Sequence, residues 1–304
     1  MKILVTGANG MLAEDVIKVS QMDHNNTILG IDINGVGKDT ECGDIRDFVS
    51  LNIIVKRFKP DIVYHLAAET DLEMCERDPA HAEETNIVGT EHMATICKTN
   101  NIPLVHISTA SIFDGEKEEG CAEDEKPNPL NVYGRTKLEA ERIVRKIVPL
   151  NIVVRLAWSF GGLQRDKKYV GKMINAIIAG KDIYAVTDKS GNLSYTAESA
   201  RVISHLVRGR RWGVFHVVNS GVVTRFQIAA KILEVIETKG ISLSPTTSDE
   251  RFSELVRRPR YECLIDTKLK QIGIDSPPRW EVSLADYVKK YQASIKNPKS
   301  PENR

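Results

Sequence analysis

The chain has 304 residues, of which 41% are hydrophobic and 27% are charged, which is an ordinary composition for a globular protein. Its 42 Lys and Arg residues nearly balance its 41 Asp and Glu residues, so the formal net charge is only +1. A balanced charge gives no electrostatic reason to expect nucleic acid or an anionic membrane as a partner. The length suits one large α/β domain or two smaller ones.

Membrane signals and cysteine spacing are the next constraints. No apolar run reaches the ~18 residues that a membrane span needs. The start, MKILVTGANG, is too short for the apolar core of a signal peptide. We therefore expect a cytoplasmic protein with free thiols and no metal site. Neither zinc spacing nor a disulfide framework is present among the five cysteines, which are Cys42, Cys75, Cys97, Cys121 and Cys263.

Short apolar runs and helical patterns alternate from the first residue to about residue 157. Strands that alternate with helices in this way are typical of a parallel sheet covered on both faces. Because such crossovers are right-handed, the sequence predicts an α/β fold with a doubly wound parallel sheet of the Rossmann type. The predicted strands are 2–6, 26–32, 61–68, 103–108 and 151–157, and the predicted helices between them are 11–19, 48–58, 80–99 and 130–148.

The alternation becomes less regular after about residue 160. We interpret residues 1–160 as the Rossmann domain, on which some later segments pack, and residues 161–295 as a smaller substrate-binding portion. The polar tail 296–304 is predicted to fray. The later elements predicted are helices at 168–180, 197–209 and 225–238 and a strand at 213–218.

The first predicted strand ends in TGANGMLA, a glycine-rich turn that opens the first helix. Gly7, Gly10 and Ala13 occupy the G-x-x-G-x-x-G/A positions of a dinucleotide-binding turn. Gly7 permits the tight turn, Gly10 lets backbone N–H groups approach a pyrophosphate, and Ala13 keeps the helix close to the strand. The positive end of the helix dipole favours phosphate at the same place. We therefore interpret this segment as a nucleotide site rather than as a purely structural turn.

Asp32 ends the second predicted strand, 22 residues after Gly10. A carboxylate there can accept hydrogen bonds from the adenosine ribose hydroxyls and would repel a 2′-phosphate. Since only Lys38 follows it closely, the sequence favours NAD(H) and leaves NADP(H) as an alternative. The structural alternative is an aspartate that caps a turn. Asp44, in CGDIRD, could cap the next helix or face the adenine.

Tyr133 and Lys137, in NVYGRTK, lie four residues apart at the start of a predicted helix and therefore on one helix face. An ammonium group near a phenol favours the phenolate and lowers a phenol pKa that starts near ~10. Such a tyrosine could donate or accept a proton at neutral pH. The pair alone is a common chance motif, so its interpretation depends on the rest of the chain.

Four motifs occur in the order found in extended short-chain dehydrogenase/reductases: TGANGMLA, HLAA at 65–68, STASIF at 108–113, and the Tyr133/Lys137 pair. STASIFDG resembles the STDYVFDG segment of dTDP-4-dehydrorhamnose reductases, and PLNVYGRTKLEAE resembles their PLNVYGKTKLAGE. RLAWSFGG is similar to their RTSWVYG, and RRPRYECLIDTKL is similar to their RRPxxSxLDTSKL. The resemblance extends from residue 1 to about residue 287.

This resemblance implies an oxidoreductase that uses NAD(P)H to reduce the C4 ketone of a deoxyhexose nucleotide, as in dTDP-rhamnose and polysaccharide biosynthesis, and it allows a homodimer. Tyr133 would protonate the ketone oxygen, Thr109 would hydrogen-bond it, and Lys137 would bind the nicotinamide ribose and lower the tyrosine pKa. The substrate contacts that it implies are Trp158, Arg257 and Arg258. The cofactor contacts that it implies are Gly7, Gly10, Met11, Leu12, Asp32, Asp44, Ile45, Ala67, Ala68 and Lys137.

Three departures from the family pattern concern the substrate. Where the reductases have T-D-Y, this chain has Thr109-Ala110-Ser111, and alanine and serine cannot perform the acid chemistry of the related T-D-E dehydratases. Leu193 replaces a proline of the reductases, and HLAA followed by Glu69 resembles epimerases as much as reductases.

Two alternative functions remain open. The first is a sugar-nucleotide epimerase, or another 4-keto reductase, that uses the same Thr/Tyr/Lys set. The second is a catalytically silent NAD(P)-binding regulatory subunit. The intact Thr/Tyr/Lys set argues against the second, because a pure binding module has no need of an activated tyrosine.

Overall fold

A parallel sheet forms the centre of the computed structural model, which describes residues 1–35, 37, 39–251 and 255–296. Lys38 and the tail residues 297–304 lie outside the described residues. The strands are β1 (Lys2–Thr6), β2 (Thr27–Asp32), β3 (Thr40–Cys42), β4 (Ile62–His65), β5 (Leu104–Thr109), β6 (Asn151–Leu156), β7 (Trp158–Phe160), β8 (Ile183–Val186), β9 (Ser190–Gly191), β10 (Leu193–Tyr195), β11 (Gly213–His216), β12 (Val223–Thr224), β13 (Leu243–Thr246) and β14 (Tyr261–Glu262).

Seven of these strands form the central sheet, in the order β11-β6-β5-β4-β1-β2-β3, and every neighbouring pair in it is parallel. The strand order reverses between β1 and β4. In doubly wound sheets, ligands bind in the crevice outside the carboxyl ends of the strands at this reversal. The predicted fold class is confirmed, and the position of the crevice follows from it.

Helices cover both faces of the sheet. Apolar side chains form one core cluster on each face, and the later helix α8 packs with α1 in one of them. No helix in the described part of the chain is long and apolar enough to cross a membrane. The helices are α1 (Met11–Gln21), α2 (Phe48–Phe58), α3 (Leu72–Arg77), α4 (Pro79–Glu83), α5 (Gly89–Thr99), α6 (Val132–Ile147), α7 (Tyr169–Ile178), α8 (Thr196–Arg208), α9 (Arg225–Ile236), α10 (Ser248–Arg251), α11 (Thr267–Gln271) and α12 (Trp280–Lys296).

The predicted strands and helices are present, with three differences in the first half of the chain. β3 was not predicted, because its sequence TEC is neither apolar nor alternating, and it lies at the edge of the sheet. The predicted strand 61–68 is shorter, since β4 ends at His65. The predicted helix 80–99 is divided into α4, a π-helical turn at Glu84–Val88 and α5, and α3 precedes it.

The C-terminal part has its own apolar core and three small sheets, formed by β7 with β10, by β9 with β12 and β14, and by β8 with β13. These strands have two to four residues each, too short to give a clear apolar pattern. In the core, the Phe160 ring stacks on Tyr195 at 5.0 Å, and Tyr287 of α12 meets both rings. The long helix α12 therefore packs against the core of the C-terminal part through Tyr287.

A buried ion pair joins α6 to the central sheet. Arg155 of β6 donates from Nη2 to Glu141 Oε1 at 2.6 Å and from Nε to Oε2 at 3.0 Å. The two side chains are 2% and 1% exposed. Arg155 Nη1 also donates to the Glu123 carbonyl oxygen and lies 3.2 Å from His216 Nε2 on β11. The pair thus fixes α6, which carries Tyr133 and Lys137, against two neighbouring strands.

The exchange of Glu141 for glutamine should destabilise the fold, because it leaves the Arg155 guanidinium buried without its counter-charge. We expect Glu141→Gln to lower the free energy of unfolding by about 3–5 kcal/mol in urea denaturation. Glu139→Gln is the matched control on the same helix, since Glu139 forms an exposed pair with Arg142 and should contribute less than about 1 kcal/mol. Equal losses for the two variants would contradict this account.

Candidate active site

The glycine turn and the end of β4 meet at the crevice. Gly7 has a positive φ of 67°, and a Cβ there would lie 2.8 Å from the Ala67 Cα, so only glycine fits. The Gly10 amide donates to the Gly7 carbonyl oxygen at 2.9 Å, and α1 begins at the next residue, Met11. The first amides of α1 have no partner within the helix and point out of its N-terminus. The free amides and the helix dipole at this end of α1 can bind a phosphate group, and the Ala67 backbone lies against Gly7 at the same place.

Asp32 lies at the carboxyl end of β2, next to the glycine turn. Its Oδ2 accepts a hydrogen bond from the Asn9 amide at 3.1 Å, and its Oδ1 accepts one from the Asn34 amide at 3.2 Å. The second contact is the turn cap that the sequence left as the structural alternative. The first links the carboxylate to the glycine turn. Because a carboxylate has more acceptor positions than these two, both roles are compatible in one residue.

Asp44 does not cap α2; that half of the alternative is wrong. The cap is Asp47, whose side chain accepts from the Ser50 amide. The Asp44 carboxylate instead accepts hydrogen bonds from Arg46, of which the one from Nη2 is 2.6 Å long. The hydrogen bonds from Arg46 hold the Asp44 pKa below its ordinary value, and partial burial opposes this effect. Ile45 beside it is 4% exposed and packs closely against Gly89 of α5.

The three predicted catalytic residues come together at the carboxyl end of β5. Thr109 ends this strand, and α6 brings Tyr133 and Lys137 to it. Asn131 caps the helix by accepting from the Gly134 amide at 2.8 Å. The Thr109 side chain acts on the Tyr133 phenol as a hydrogen-bond partner and lowers its pKa. The described geometry therefore places a phenol and an alcohol side by side, facing the crevice of the central sheet.

The pKa of Tyr133 departs from the expectation. Burial raises it to about 12, the nearby Cys75, Glu262 and Glu69 add to the increase, and the Thr109 hydrogen bond opposes it. The predicted lowering by Lys137 is wrong for this structure. Lys137 Nζ lies 3.5 Å from His106 Nε2, and burial lowers the Lys137 pKa to about 8. At neutral pH the phenol is therefore neutral, which is the protonation state of a proton donor.

Two buried histidines lie behind Lys137. Burial holds the pKa of His106 well below its ordinary value and that of His65 at about 3, so both rings are neutral. The rings stack at 5.7 Å, and His65 contacts Thr6 and Thr90. A neutral His106 can accept a hydrogen bond from the lysine ammonium group, which keeps Lys137 pointing into the crevice floor.

Asn86 was missed by the sequence analysis. It lies in the π-helical turn, is 1% exposed, and accepts from the Glu69 amide at 2.8 Å. Its Nδ2 donates to the Glu69 carbonyl oxygen and to Thr136 Oγ1, and Thr136 donates in turn to the Tyr133 carbonyl oxygen. Asn86 thus fixes the first turn of α6. Sequence alone gave no signal for it, since an asparagine inside a helical pattern is unremarkable.

The three predicted substrate residues differ in their exposure and in their contacts. Arg257 is exposed, and its carbonyl oxygen accepts from Asn131. Arg258 forms an ion pair with Glu73 of α3 at 2.6 Å. Trp158 is half-buried and donates its Nε1 proton to Glu262 Oε2 at 2.6 Å. The Trp158 indole N–H is therefore occupied by its hydrogen bond to Glu262, and the Trp158 ring is the part that is available to contact a ligand.

Arg225 and Glu262 were also missed. The Arg225 guanidinium lies 4.5 Å from the Trp158 ring centroid and 4.6 Å from that of Tyr169. Glu262 accepts from Ser111 Oγ at 2.7 Å. Both residues reach the site from elements far along the chain, so local patterns could not have located them. In the described part of the chain, no group of His, Cys, Asp and Glu side chains could hold a metal ion.

Comparison with known proteins gives one consistent answer. The chain is 29% identical to the dTDP-4-keto-6-deoxy-D-glucose reductase of Streptomyces niveus, over 92% of this chain and 94% of that protein. The structure matches dTDP-4-dehydrorhamnose reductases of Clostridium acetobutylicum (TM-score 0.88, 29% identity, 96% and 100% of the two chains) and of Bacillus anthracis in complex with NADP (0.87, 27%, 95% and 99%). Because the family model described as RmlD substrate binding domain matches residues 1–293, the resemblance is confirmed and the chain belongs to that family.

Proposed function

We propose that this protein uses NAD(P)H to reduce the C4 ketone of a deoxyhexose nucleotide, in the manner of dTDP-4-dehydrorhamnose reductase. The chain is an oxidoreductase of the short-chain dehydrogenase/reductase type. The observation that carries the proposal is that the start of α6 packs against the end of β5, which brings Tyr133 next to Thr109 at the carboxyl end of the sheet, where the glycine turn also lies. Relatives named as 4-keto sugar-nucleotide reductases support the substrate class.

The two hydroxyl groups would have different roles at the ketone oxygen. Tyr133 remains protonated through neutral pH, since its pKa is raised to about 12, and can donate its proton to the oxygen of the reacting carbonyl. Each hydroxyl group has one proton, so Thr109 can donate a second hydrogen bond to the same oxygen only when the two hydroxyl groups no longer donate to each other. Two donors directed at one oxygen stabilise the negative charge that develops on it.

The cofactor would be held by the residues of the crevice. Gly7 and Gly10 would leave space for the pyrophosphate, the first amides of α1 would donate hydrogen bonds to it, and Asp32 would accept hydrogen bonds from the adenosine ribose. Lys137, at the crevice floor, would hold the nicotinamide ribose. The bound NAD(P)H supplies the hydride. Asp44, Ile45, Ala67 and Ala68 would complete the contact, and a cytoplasmic homodimer remains a prediction.

The substrate diphosphate would bind to cations of the C-terminal part. Burial lowers the pKa of both Arg225 and Lys189, the Glu262 charge opposes both decreases, and the Arg258 charge adds to them. Lys189 Nζ also donates to the Arg258 carbonyl oxygen at 3.0 Å. A group of cations of this kind suits two adjacent phosphates.

The alternatives are less well supported. Ala110 and Ser111 lack the acid groups of a dehydratase at those positions. An epimerase would need no added reductant, so dependence on stoichiometric NAD(P)H separates it from a reductase. A silent regulatory subunit has no use for a hydrogen-bonded and oriented Tyr133.

Substitutions in the Thr/Tyr/Lys set should give a graded pattern of losses. Tyr133→Phe removes one oxygen, so the fold and NADH affinity should survive while turnover falls by roughly 10²- to 10⁴-fold. Lys137→Met should reduce turnover and also weaken NADH binding, because it removes the ribose contact. Thr109→Val should reduce turnover less than the other two substitutions, since water can replace a neutral hydrogen-bond donor. The measurement is steady-state reduction of a 4-keto sugar nucleotide; undiminished turnover by Tyr133→Phe would refute the role of Tyr133 as proton donor, and absence of turnover in the parent would favour the regulatory-subunit function.

NADH should bind with micromolar affinity and more tightly than NADPH, because the Asp32 carboxylate repels a 2′-phosphate. Titration of nucleotide fluorescence with the parent protein and with Asp32→Ala measures this preference. The substitution should raise the relative affinity for NADPH. Asp23→Asn, at a partly exposed site on the loop before β2, serves as the charge control. Tighter NADPH binding by the parent would refute the role assigned to Asp32.

Arg258→Ala should weaken sugar-nucleotide binding and leave NADH binding unchanged, because it removes one of the three cations near the proposed diphosphate position. Arg257→Ala is the comparison, since the Arg257 side chain is exposed and should have a smaller effect. Isothermal titration with the sugar nucleotide and with NADH separates the outcomes. Loss of both ligands in Arg258→Ala would show that its ion pair with Glu73 is structural.

A further inference from the structure

We propose that Glu262 determines substrate specificity by accepting a hydrogen bond from a hydroxyl group of the sugar ring, beside the carbonyl that is reduced. The inference rests on the proposed function and deepens it. It starts from the observation that Ser111 and Trp158 hold this carboxylate next to the catalytic hydroxyl groups.

The backbone of Glu262 is fixed. β14 pairs with β9 in the register Glu262–Gly191, and the Glu262 carbonyl oxygen accepts from the Asn192 amide. A Cβ at Gly191 would be 3.0 Å from the Trp158 ring and 3.1 Å from the Glu262 carbonyl oxygen, so the three residues pack closely. The side chain therefore extends in one defined direction, between Ser111 and Trp158.

The two internal hydrogen bonds do not saturate the carboxylate. Ser111 Oγ donates to Oε1 and Trp158 Nε1 donates to Oε2, whereas an ionised carboxylate can accept about four hydrogen bonds. Among the described residues, no lysine or arginine forms an ion pair with Glu262. The Glu262 charge acts on the neighbouring cations Arg225 and Lys189, where it opposes the lowering of their pKa by burial. The remaining acceptor positions of the carboxylate are available to a ligand.

The carboxylate belongs to the same polar surface as the catalytic groups. The Ser111 amide donates to Thr109 Oγ1 at 3.2 Å, and Thr109 is hydrogen-bonded to Tyr133. The negative charge of Glu262 is also among the causes that raise the Tyr133 pKa. A sugar whose carbonyl oxygen reaches Tyr133 and Thr109 would thus have a neighbouring ring substituent within reach of Glu262.

Positions 111 and 262 both differ from the reductase pattern. STDYVFDG has tyrosine where this chain has Ser111, and RRPxxSxLDTSKL has serine where it has Glu262. Because Oε1 lies 2.7 Å from Ser111 Oγ, the carboxylate occupies the space into which a larger side chain at position 111 would extend. The late segment therefore supplies the recognition group that position 111 lacks.

Glu262→Gln is the matched substitution. An amide can accept from Trp158 and donate to Ser111 Oγ, so it preserves both internal contacts and removes only the charge. We expect kcat/KM for a dTDP-linked 4-keto-6-deoxyhexose to fall about 10- to 100-fold, as for a lost hydrogen bond to a charged group. The alkaline limb of the pH profile should move to lower pH, because Tyr133 must be protonated and its pKa falls when the nearby negative charge is removed.

The controls separate recognition from structure. Glu118→Gln, an exposed acid that accepts from the Tyr261 hydroxyl, should leave both measurements unchanged. Affinity for dTDP alone, which has no sugar, should not fall in Glu262→Gln, because the variant only removes a negative charge near the proposed diphosphate cations, while affinity for the dTDP-sugar falls. If Glu262→Gln retains parental kcat/KM, dTDP-sugar affinity and pH profile, the specificity role is refuted, and equal loss of dTDP and dTDP-sugar binding refutes it also.

Failure of the proposed function has a different signature. A parent protein that reduces no 4-keto sugar nucleotide would refute the reductase proposal. The comparison of dTDP with dTDP-sugar affinity would then still decide the role of Glu262, because it requires no turnover.

Discussion

The first turn of α6 can approach the end of β5 only because residue 134 has no side chain. A Cβ at Gly134 would overlap the Ser111 carbonyl oxygen and press on Pro129. This contact brings Tyr133 beside Thr109, and it brings Lys137, one turn later, beside His106 on the same strand. It also fixes Ser111, whose hydroxyl group holds Glu262. The proposed proton donor Tyr133, its partner Thr109, Lys137 and the proposed recognition residue Glu262 thus depend on one backbone contact.

The buried face of α6 sets the electrostatics of the site. It carries Lys137 and Glu141, which are four residues apart and of opposite charge. Glu141 is neutralised by Arg155, whereas Lys137 has no carboxylate within ion-pair distance in the part of the chain that the structure describes, and burial lowers its pKa to about 8. The surrounding acids and burial keep the Tyr133 pKa at about 12. A phenol that stays protonated beside a lysine at the crevice floor suits proton donation to a ketone better than proton removal from an alcohol.

Local patterns predicted the parts of the fold whose residues carry a signal along the chain. The apolar runs of β1, β5 and β6 and the glycine turn before α1 located the crevice, and the Tyr133/Lys137 spacing located the start of α6. β3 was missed because an edge strand of three polar or small residues has no apolar pattern. Arg225 and Glu262 were missed because their partners lie 67 and 104 residues away at Trp158, and for Glu262 151 residues away at Ser111. The spacing of residues in the sequence can locate a site only where the residues of the site lie on the same element or on neighbouring elements of the chain.

Chemistry and recognition therefore come from different parts of the chain. The proton donor and the cofactor crevice are formed by residues of the central sheet and α6, whose positions follow from packing against a large core. The cations and the Glu262 carboxylate come from segments after residue 188, held by two- and four-residue strands. Since the Glu262 carboxylate lies 2.7 Å from the Ser111 hydroxyl group, its position depends on a small side chain at residue 111. The proposed recognition residue is thus supported by the segment that follows Thr109, although it comes from a strand near the end of the chain.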